Sequence, residues 1–85
     1  MDQKLFSVYV LRSEKYPEKN YVGMATDVVK RLKEHNSGKS KFTKAFVPWS
    51  IVHQELVGEA PLARKREKYL KSNAGKNFLR KIGAI

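Results

Sequence analysis

The stretch "LFSVYVLRS" constrains the fold more than any other part of the chain. It is rich in β-branched and aromatic residues and predicts a β-strand from Leu5 to about Arg12. Because side chains alternate along a strand, Val8 and Val10 share one face, while Tyr9 and Leu11 share the other. Both faces are therefore largely apolar, and we expect a central strand that is covered on both sides.

The segments that follow predict an α+β domain. "NYVGM" reads as a second strand, most simply antiparallel to the first, and "WSIVHQELV" reads as a third. Thr26 or Asp27 suits the N-cap of a first helix that ends near Asn36, and Pro61 suits the first turn of a second helix, "APLARKREKYLKS". The predicted fold is a small three-stranded antiparallel sheet flanked by helices, in the order β-β-α-β-α, with a short extra helix in "GKNFLRKIGAI".

Length and charge limit the class of protein. The 85 residues allow one domain, 1–85, and the net charge of +10 indicates a polyanionic partner, with nucleic acid ahead of an anionic membrane surface. The apolar stretches are too short to span a bilayer, and the N-terminus lacks the layout of a signal peptide. The chain contains no Cys, which excludes a disulfide or a catalytic thiol, so we expect a cytoplasmic protein without membrane association. The oligomeric state is left open.

The first helix carries two polar residues beside its apolar side. At roughly 100° per residue, Val28, Val29 and Leu32 form an apolar arc, and Arg31 and His35 lie one turn apart on its edge. Arg31 would lay its stem along the core and extend its charge outward, with His35 as a boundary residue. Alternatively, Arg31 would bind a phosphate through two hydrogen bonds at the edge of the sheet.

The second helix has an isolated carboxylate. Glu67 lies at the edge of the predicted apolar arc and is surrounded by basic residues. The arc consists of Leu62, Ala63, Tyr69 and Leu70. Glu67 would either neutralise neighbours such as Arg64 and Lys71, or hold a divalent cation next to a bound phosphate. Mg²⁺ accepts one carboxylate together with phosphate oxygens and water, so a cluster of carboxylates is not required.

Two tyrosines and a glycine lie in the predicted strands. Tyr9 and Tyr21 are either packing residues or members of a site. Gly23 shares a face with Tyr21, and a glycine inside a strand weakens it unless a bulge or a close approach requires one. Gly23 would thus open a hollow beside Tyr21.

These residues together resemble the GIY-YIG nuclease family. The resemblance rests on "SVYVL", then "NYVG", then Arg31 and the late helical "REKYL", and it extends from about Leu5 to Lys81. It is closest to the small members described as UvrC-like or UPF0213-type endonuclease proteins, for which "RLKEHNSGKSKFTK" followed by "PW" is also typical. Ser7 and Val22 depart mildly from the two motifs, and neither Asn73 nor Asn77 aligns securely with a late asparagine of the family.

The resemblance implies a set of site residues and a reaction. The catalytic positions would be Tyr9, Tyr21, Arg31, His35 and Glu67. Gly23 would shape the site, and Glu67 would hold one Mg²⁺ or Mn²⁺ ion. The implied reaction is hydrolysis of phosphodiester bonds, most simply in DNA, with low sequence specificity.

A basic surface would hold the nucleic acid backbone. Its residues would be Lys39, Lys41, Lys44, Arg64 and Lys68. Phe42 and Phe46 lie in the same basic loop, predicted from Lys39 to Phe46. The alternative function is a non-catalytic DNA- or RNA-binding module on the same fold.

Overall fold

The computed structural model describes residues 4–85, so the first three residues of the predicted domain lie outside the described range. Three strands and three helices follow one another in the predicted order. They are β1 (Phe6–Ser13), β2 (Asn20–Ala25), α1 (Val28–Asn36), β3 (Trp49–Gly58), α2 (Ala60–Lys71) and α3 (Asn73–Lys81). The predicted loop between α1 and β3 ends in a 3₁₀ turn, Thr43–Phe46.

The sheet is antiparallel with the strand order β2-β1-β3, which confirms the predicted sheet and the central position of β1. Val8, Tyr9, Val10 and Leu11 are each at most 1% exposed. Consecutive residues of a strand point to opposite faces, so four consecutive buried residues mean that both faces are covered.

The two faces of the sheet carry separate apolar clusters. Val8, Val10 and Val22 pack with residues of α2 and α3. Tyr9 and Leu11 pack with residues of α1 and the start of β3. The site residues predicted on β1 and α1 therefore lie on the same side of the sheet.

The orientation of α1 differs from the prediction. Val28 is 7% exposed and His35 is 1% exposed, but Val29 is 60% exposed, so Val29 does not belong to the buried arc. Residues 28, 32 and 35 follow the i, i+4, i+7 pattern of one helix face, from which residue 29 is turned by roughly 100°. The inward face thus centres on Val28, Leu32 and His35, because His35 finds hydrogen-bond partners inside.

The orientation of α2 differs in the same way. Ala63 and Leu70 are fully buried, but Leu62 is 59% exposed and Tyr69 is 40% exposed, so the predicted arc was wrong at these two positions. The face that packs on the sheet lies on the side of Glu67, whose side chain is 20% exposed. Arg66 does not enter the apolar core, since its guanidinium forms two hydrogen bonds with Glu55 of β3 at 2.8 and 3.0 Å.

α3 follows α2 without a linker. Ser72 ends α2 and caps α3, where its hydroxyl accepts a hydrogen bond from the Gly75 N–H at 3.2 Å. This cap starts α3 at Asn73, two residues before the predicted "GKNFLRKIGAI". A Cβ at Gly75 would lie 2.1 Å from the Tyr69 carbonyl oxygen, so the close contact between the two helices requires glycine at this position.

Candidate active site

Tyr9 and Gly23 form a pair across β1 and β2. They are directly opposed in the antiparallel register. A Cβ added to Gly23 would lie 2.6 Å from the Tyr9 hydroxyl oxygen and 3.0 Å from a ring carbon of Tyr21. Gly23 therefore leaves the space that the Tyr9 ring occupies, whereas the sequence placed this hollow beside Tyr21.

A chain of hydrogen bonds runs from β1 to the loop before β3. The Tyr9 hydroxyl is hydrogen-bonded to His35 Nε2 at 3.0 Å, and His35 Nδ1 to the Thr43 hydroxyl at 2.9 Å. The Trp49 indole N–H donates to the Thr43 carbonyl at 2.8 Å and holds the 3₁₀ turn in place. Tyr9, His35 and Thr43 are each at most 1% exposed, so this chain is a buried polar network with every member partnered.

Tyr21 completes an aromatic cluster around the imidazole. Its ring centroid lies 4.9 Å from that of His35 and 6.4 Å from that of Tyr9. The structure thus brings together both predicted strand tyrosines and the predicted helix histidine.

Burial sets the protonation states in this cluster. Burial raises the pKa of the Tyr9 phenol above its ordinary value of 10.0, and the nearby Arg31 guanidinium offsets part of that rise. Burial also lowers the pKa of the His35 imidazole below 6.5, and the positive charge of Arg31 adds to this effect. At neutral pH the pair is therefore an uncharged phenol beside an uncharged imidazole.

Arg31 lies between the cluster and solvent. Its guanidinium donates to the Glu34 carboxylate at 2.6 Å, and its side chain is 41% exposed. It also lines a cleft of about 290 Å³ with residues such as Met24 and Asp27. An ion pair this exposed contributes little to stability. A phosphate group would therefore displace Glu34 at little cost.

Glu67 approaches the cluster from α2. It pairs with Lys71 one turn later at 3.0 Å, as the neutralising interpretation expects. Its negative charge also contributes to the raised pKa of Tyr9, after burial and the interaction with Tyr21. Among residues 4–85, no three His, Asp or Glu side chains converge as a metal site. The donor set fits a cation that takes one carboxylate and completes its coordination with phosphate oxygens and water.

The predicted contacts to nucleic acid are all solvent-exposed. These residues are Lys39, Lys41, Lys44, Arg64 and Lys68. Of the two candidate asparagines, Asn77 accepts a hydrogen bond from Arg80 at 3.0 Å on an exposed part of α3, and Asn73 is the first residue of that helix. No residue among 4–85 forms part of a helix long and apolar enough to cross a membrane.

Sequence reasoning missed Thr43. It reads as one polar residue within a basic loop, yet it is fully buried and hydrogen-bonded to His35. The nearby sequence "PW" holds the only signal, since a buried Trp needs a partner for its indole N–H, and the Thr43 carbonyl supplies it.

The family described as the GIY-YIG catalytic domain matches residues 5–81. The chain belongs to the GIY-YIG family. This family is a nuclease family.

Several curated relatives of this GIY-YIG chain are named UPF0213 proteins. One from Streptococcus pneumoniae is 35% identical over 93% of this chain and 90% of its own length. One from Haloquadratum walsbyi is 38% identical over 75% of this chain and 73% of its own length. One from Syntrophus aciditrophicus is 43% identical over 60% of this chain, and the match spans 61% of that relative. No solved structure matches this chain.

Proposed function

We propose that this protein is a metal-dependent endonuclease that hydrolyses phosphodiester bonds in DNA with low sequence specificity. The observation that carries the proposal is the hydrogen bond between the Tyr9 hydroxyl and His35 Nε2, with the Arg31 guanidinium beside it, in a chain of the GIY-YIG family. A buried phenol–imidazole pair next to an accessible guanidinium suits proton transfer at a phosphate ester.

Glu67 would hold one Mg²⁺ or Mn²⁺ ion. The ion would supply Lewis-acid stabilisation of the charge that develops on the phosphate and the leaving oxygen. Glu67 would hold the cation in place of its present contact with Lys71, which would leave Lys71 available to a phosphate.

Arg31 would neutralise a non-bridging oxygen of the scissile phosphate. Its fork of N–H donors matches the geometry of phosphate oxygens, and this contact strengthens as negative charge builds up during the reaction. Glu34 keeps the guanidinium at the rim of the cleft before substrate arrives.

Tyr9 and His35 would activate the attacking water together. The raised pKa of Tyr9 makes its phenol a poor base by itself. The uncharged His35 can accept the Tyr9 proton at Nε2 when the ring hydrogen is on Nδ1. In that tautomer the Nδ1–H donates a hydrogen bond to the Thr43 hydroxyl. Tyr9 then receives the proton of the water. Tyr21 packs on the imidazole and fixes its orientation.

Substitution of Glu67 tests the metal role. Glu67→Gln keeps the size of the side chain and removes its charge, so we expect Mg²⁺-dependent nicking of supercoiled plasmid to fall at least 100-fold, in line with loss of a key charge-stabilising group. Glu59→Gln is a matched control, because Glu59 is an exposed carboxylate just before the same helix. Wild-type nicking by Glu67→Gln would refute the assignment.

Arg31→Ala separates the two interpretations of Arg31. We expect loss of cleavage with the melting temperature nearly unchanged, because the side chain is 41% exposed and its ion pair is weak. Cleavage at the wild-type rate would show that Arg31 has only a structural role.

The competing function is a non-catalytic module that binds DNA or RNA through the same basic surface. The ion pair between Glu67 and Lys71 favours it, because it neutralises the one carboxylate assigned to the metal. The plasmid assay separates the two functions, since binding without metal-dependent cleavage by the wild-type protein supports the module alone.

A further inference from the structure

A pocket of about 380 Å³ lies beside the candidate active site, at the outer edge of β2. Its walls come from β2, the basic loop, α2 and α3. They are Asn20, Tyr21, Val22, Phe42, Lys71 and Lys76. Its volume lies within the range of about 300–1,000 Å³ that is usual for small-molecule sites.

The pocket shares walls with the site on both sides. Tyr21 packs on His35 at a centroid distance of 4.9 Å, and Lys71 pairs with Glu67 at 3.0 Å. A nucleotide seated here would therefore be next to the phosphate proposed to react.

The chemistry of the walls suits a base rather than a phosphate alone. Phe42 is 60% exposed and its ring centroid lies 6.0 Å from that of Tyr21, so two aromatic rings face the same space from β2 and the loop. Val22 adds apolar surface. A phosphate gains nothing from these groups, whereas a nucleobase stacks on an exposed aromatic ring whatever its identity.

The polar groups suit the rest of a nucleotide. Lys76 Nζ donates to the Asn20 side-chain carbonyl at 3.1 Å, which leaves the two amide hydrogens of Asn20 to bond the edge of a base. Lys71 and Lys76 supply two positive charges for a phosphate. Neither Asn20 nor Lys76 has a role in the proposed chemistry.

From these contacts we infer that the pocket binds one unpaired nucleotide that flanks the scissile phosphate, with its base stacked on Phe42. This inference rests on the proposed function for its substrate. The base must leave the duplex stack to enter, so strands with an unpaired base bind better than a fully paired duplex.

Binding without cleavage provides the test. The probe is a fluorescein-labelled single strand of about 12 nucleotides, which falls within the usual size of single-strand sites, measured in EDTA against a duplex of the same sequence. We expect Phe42→Ala to weaken binding of the single strand about 5- to 100-fold, as loss of one stacked base does, and to change duplex binding less than about two-fold. Phe42→Trp, which keeps an aromatic ring at this position, should bind the single strand as wild type does.

Two controls define the outcome. Leu56→Ala removes a 71% exposed side chain of β3, the strand on the far side of the sheet from β2, and should leave both affinities unchanged. In a series of single strands, an abasic nucleotide replaces each position in turn. At one position it should weaken binding as much as Phe42→Ala does. Equal effects of Phe42→Ala on single strand and duplex, or none on either, would overturn the inference.

The outcome is separable from the proposed function. If binding depends on Phe42 but the protein does not nick plasmid, the inference about the nucleotide pocket stands and the proposed nuclease activity is wrong. If the protein nicks plasmid, but neither Phe42→Ala nor the abasic substitutions have an effect, the proposed nuclease activity stands and the inference about the pocket is wrong.

Discussion

Tyr9, His35 and Thr43 join three parts of the chain through side chains alone. Each side chain is buried and hydrogen-bonded, so the polar atoms are satisfied without water. The Thr43 hydroxyl can either donate a hydrogen bond to His35 Nδ1 or accept one from it, and its orientation decides which imidazole nitrogen carries the hydrogen. A residue of the basic loop thus determines whether His35 Nε2 can accept a hydrogen bond from the Tyr9 hydroxyl.

The lowered pKa of His35 predicts a pH dependence of stability. In the unfolded chain His35 binds a proton near pH 6.5, and in the folded protein it does so only at lower pH. The unfolded state therefore binds more protons below pH 6.5, and the free energy of unfolding falls as the pH falls from there towards the folded pKa, by at most about 1.4 kcal/mol per pH unit.

Urea denaturation between pH 7 and pH 5 measures this effect. His35→Gln should flatten the profile in that range. Glu55, whose pKa is lowered from 4.5 by its hydrogen bonds to Arg66, affects stability only at lower pH. A wild-type profile that stays level, or a variant with the same slope as wild type, would contradict the prediction.

At the scale of single residues, helix geometry predicted that Arg31 and His35 lie one turn apart, and the charge of Arg31 does act on the imidazole. The depth of His35 was not predictable from the same pattern. An arc drawn from hydropathy places Val29 inside, whereas the structure buries His35, whose partners Tyr9 and Thr43 lie elsewhere in the sequence. Apolar arcs cannot register such distant partners.

Among the elements, the junction of α2 and α3 has the least tolerance for change. Gly75→Ala would place a methyl group 2.1 Å from the Tyr69 carbonyl and 2.5 Å from the Leu70 Cα, and both are backbone atoms. We expect a loss of roughly 2–3 kcal/mol in the free energy of unfolding, at the upper end of overpacking effects.

Thermal or urea denaturation of Gly75→Ala gives the measurement. Gly83→Ala is not a suitable control, since Gly83 has a positive φ of 80° and is strained by any side chain. Ala74→Ser changes an exposed neighbour and should cost less than about 0.5 kcal/mol. Equal stability of Gly75→Ala and wild type would show that the helices separate without cost.

The existence and order of the elements followed from local signals in the sequence. Asp27 accepts a hydrogen bond from the Lys30 N–H as an N-cap, and Pro61 lies in the first turn of α2, as the patterns indicate. The faces of α1 and α2 did not follow, because Leu62 and Tyr69 are exposed while Glu67 turns inward. Rotation of a helix about its axis depends on which polar side chains find partners.

On the scale of the whole molecule, a charge of +10 on 85 residues predicts that the proposed binding to nucleic acid weakens as the salt concentration rises. Three exposed lysines of the basic loop, Lys39, Lys41 and Lys44, would each neutralise about one phosphate. Their joint replacement by Gln should weaken binding and reduce the slope of log K against log [salt] by about two to three units.

Fluorescence anisotropy at several salt concentrations checks this prediction. The charge-matched control replaces Lys15, Lys65 and Lys81, which are exposed but lie outside the predicted contacts. An equal change of slope in both triple variants would mean that the field of the whole protein, rather than the loop, determines binding.

The junction at Ser72 also has a geometric consequence. Ser72 is the one residue between α2 and α3 and caps both, so Glu67 and Lys76 lie on two helices joined by a short, hydrogen-bonded junction. If Lys76 contacts the captured nucleotide and Glu67 lies at the reacting phosphate, the distance between these two residues sets the distance between the nucleotide and the cut. The cut would then fall a constant number of nucleotides from the captured base, so a duplex with one unpaired nucleotide at a fixed position would give one main product length.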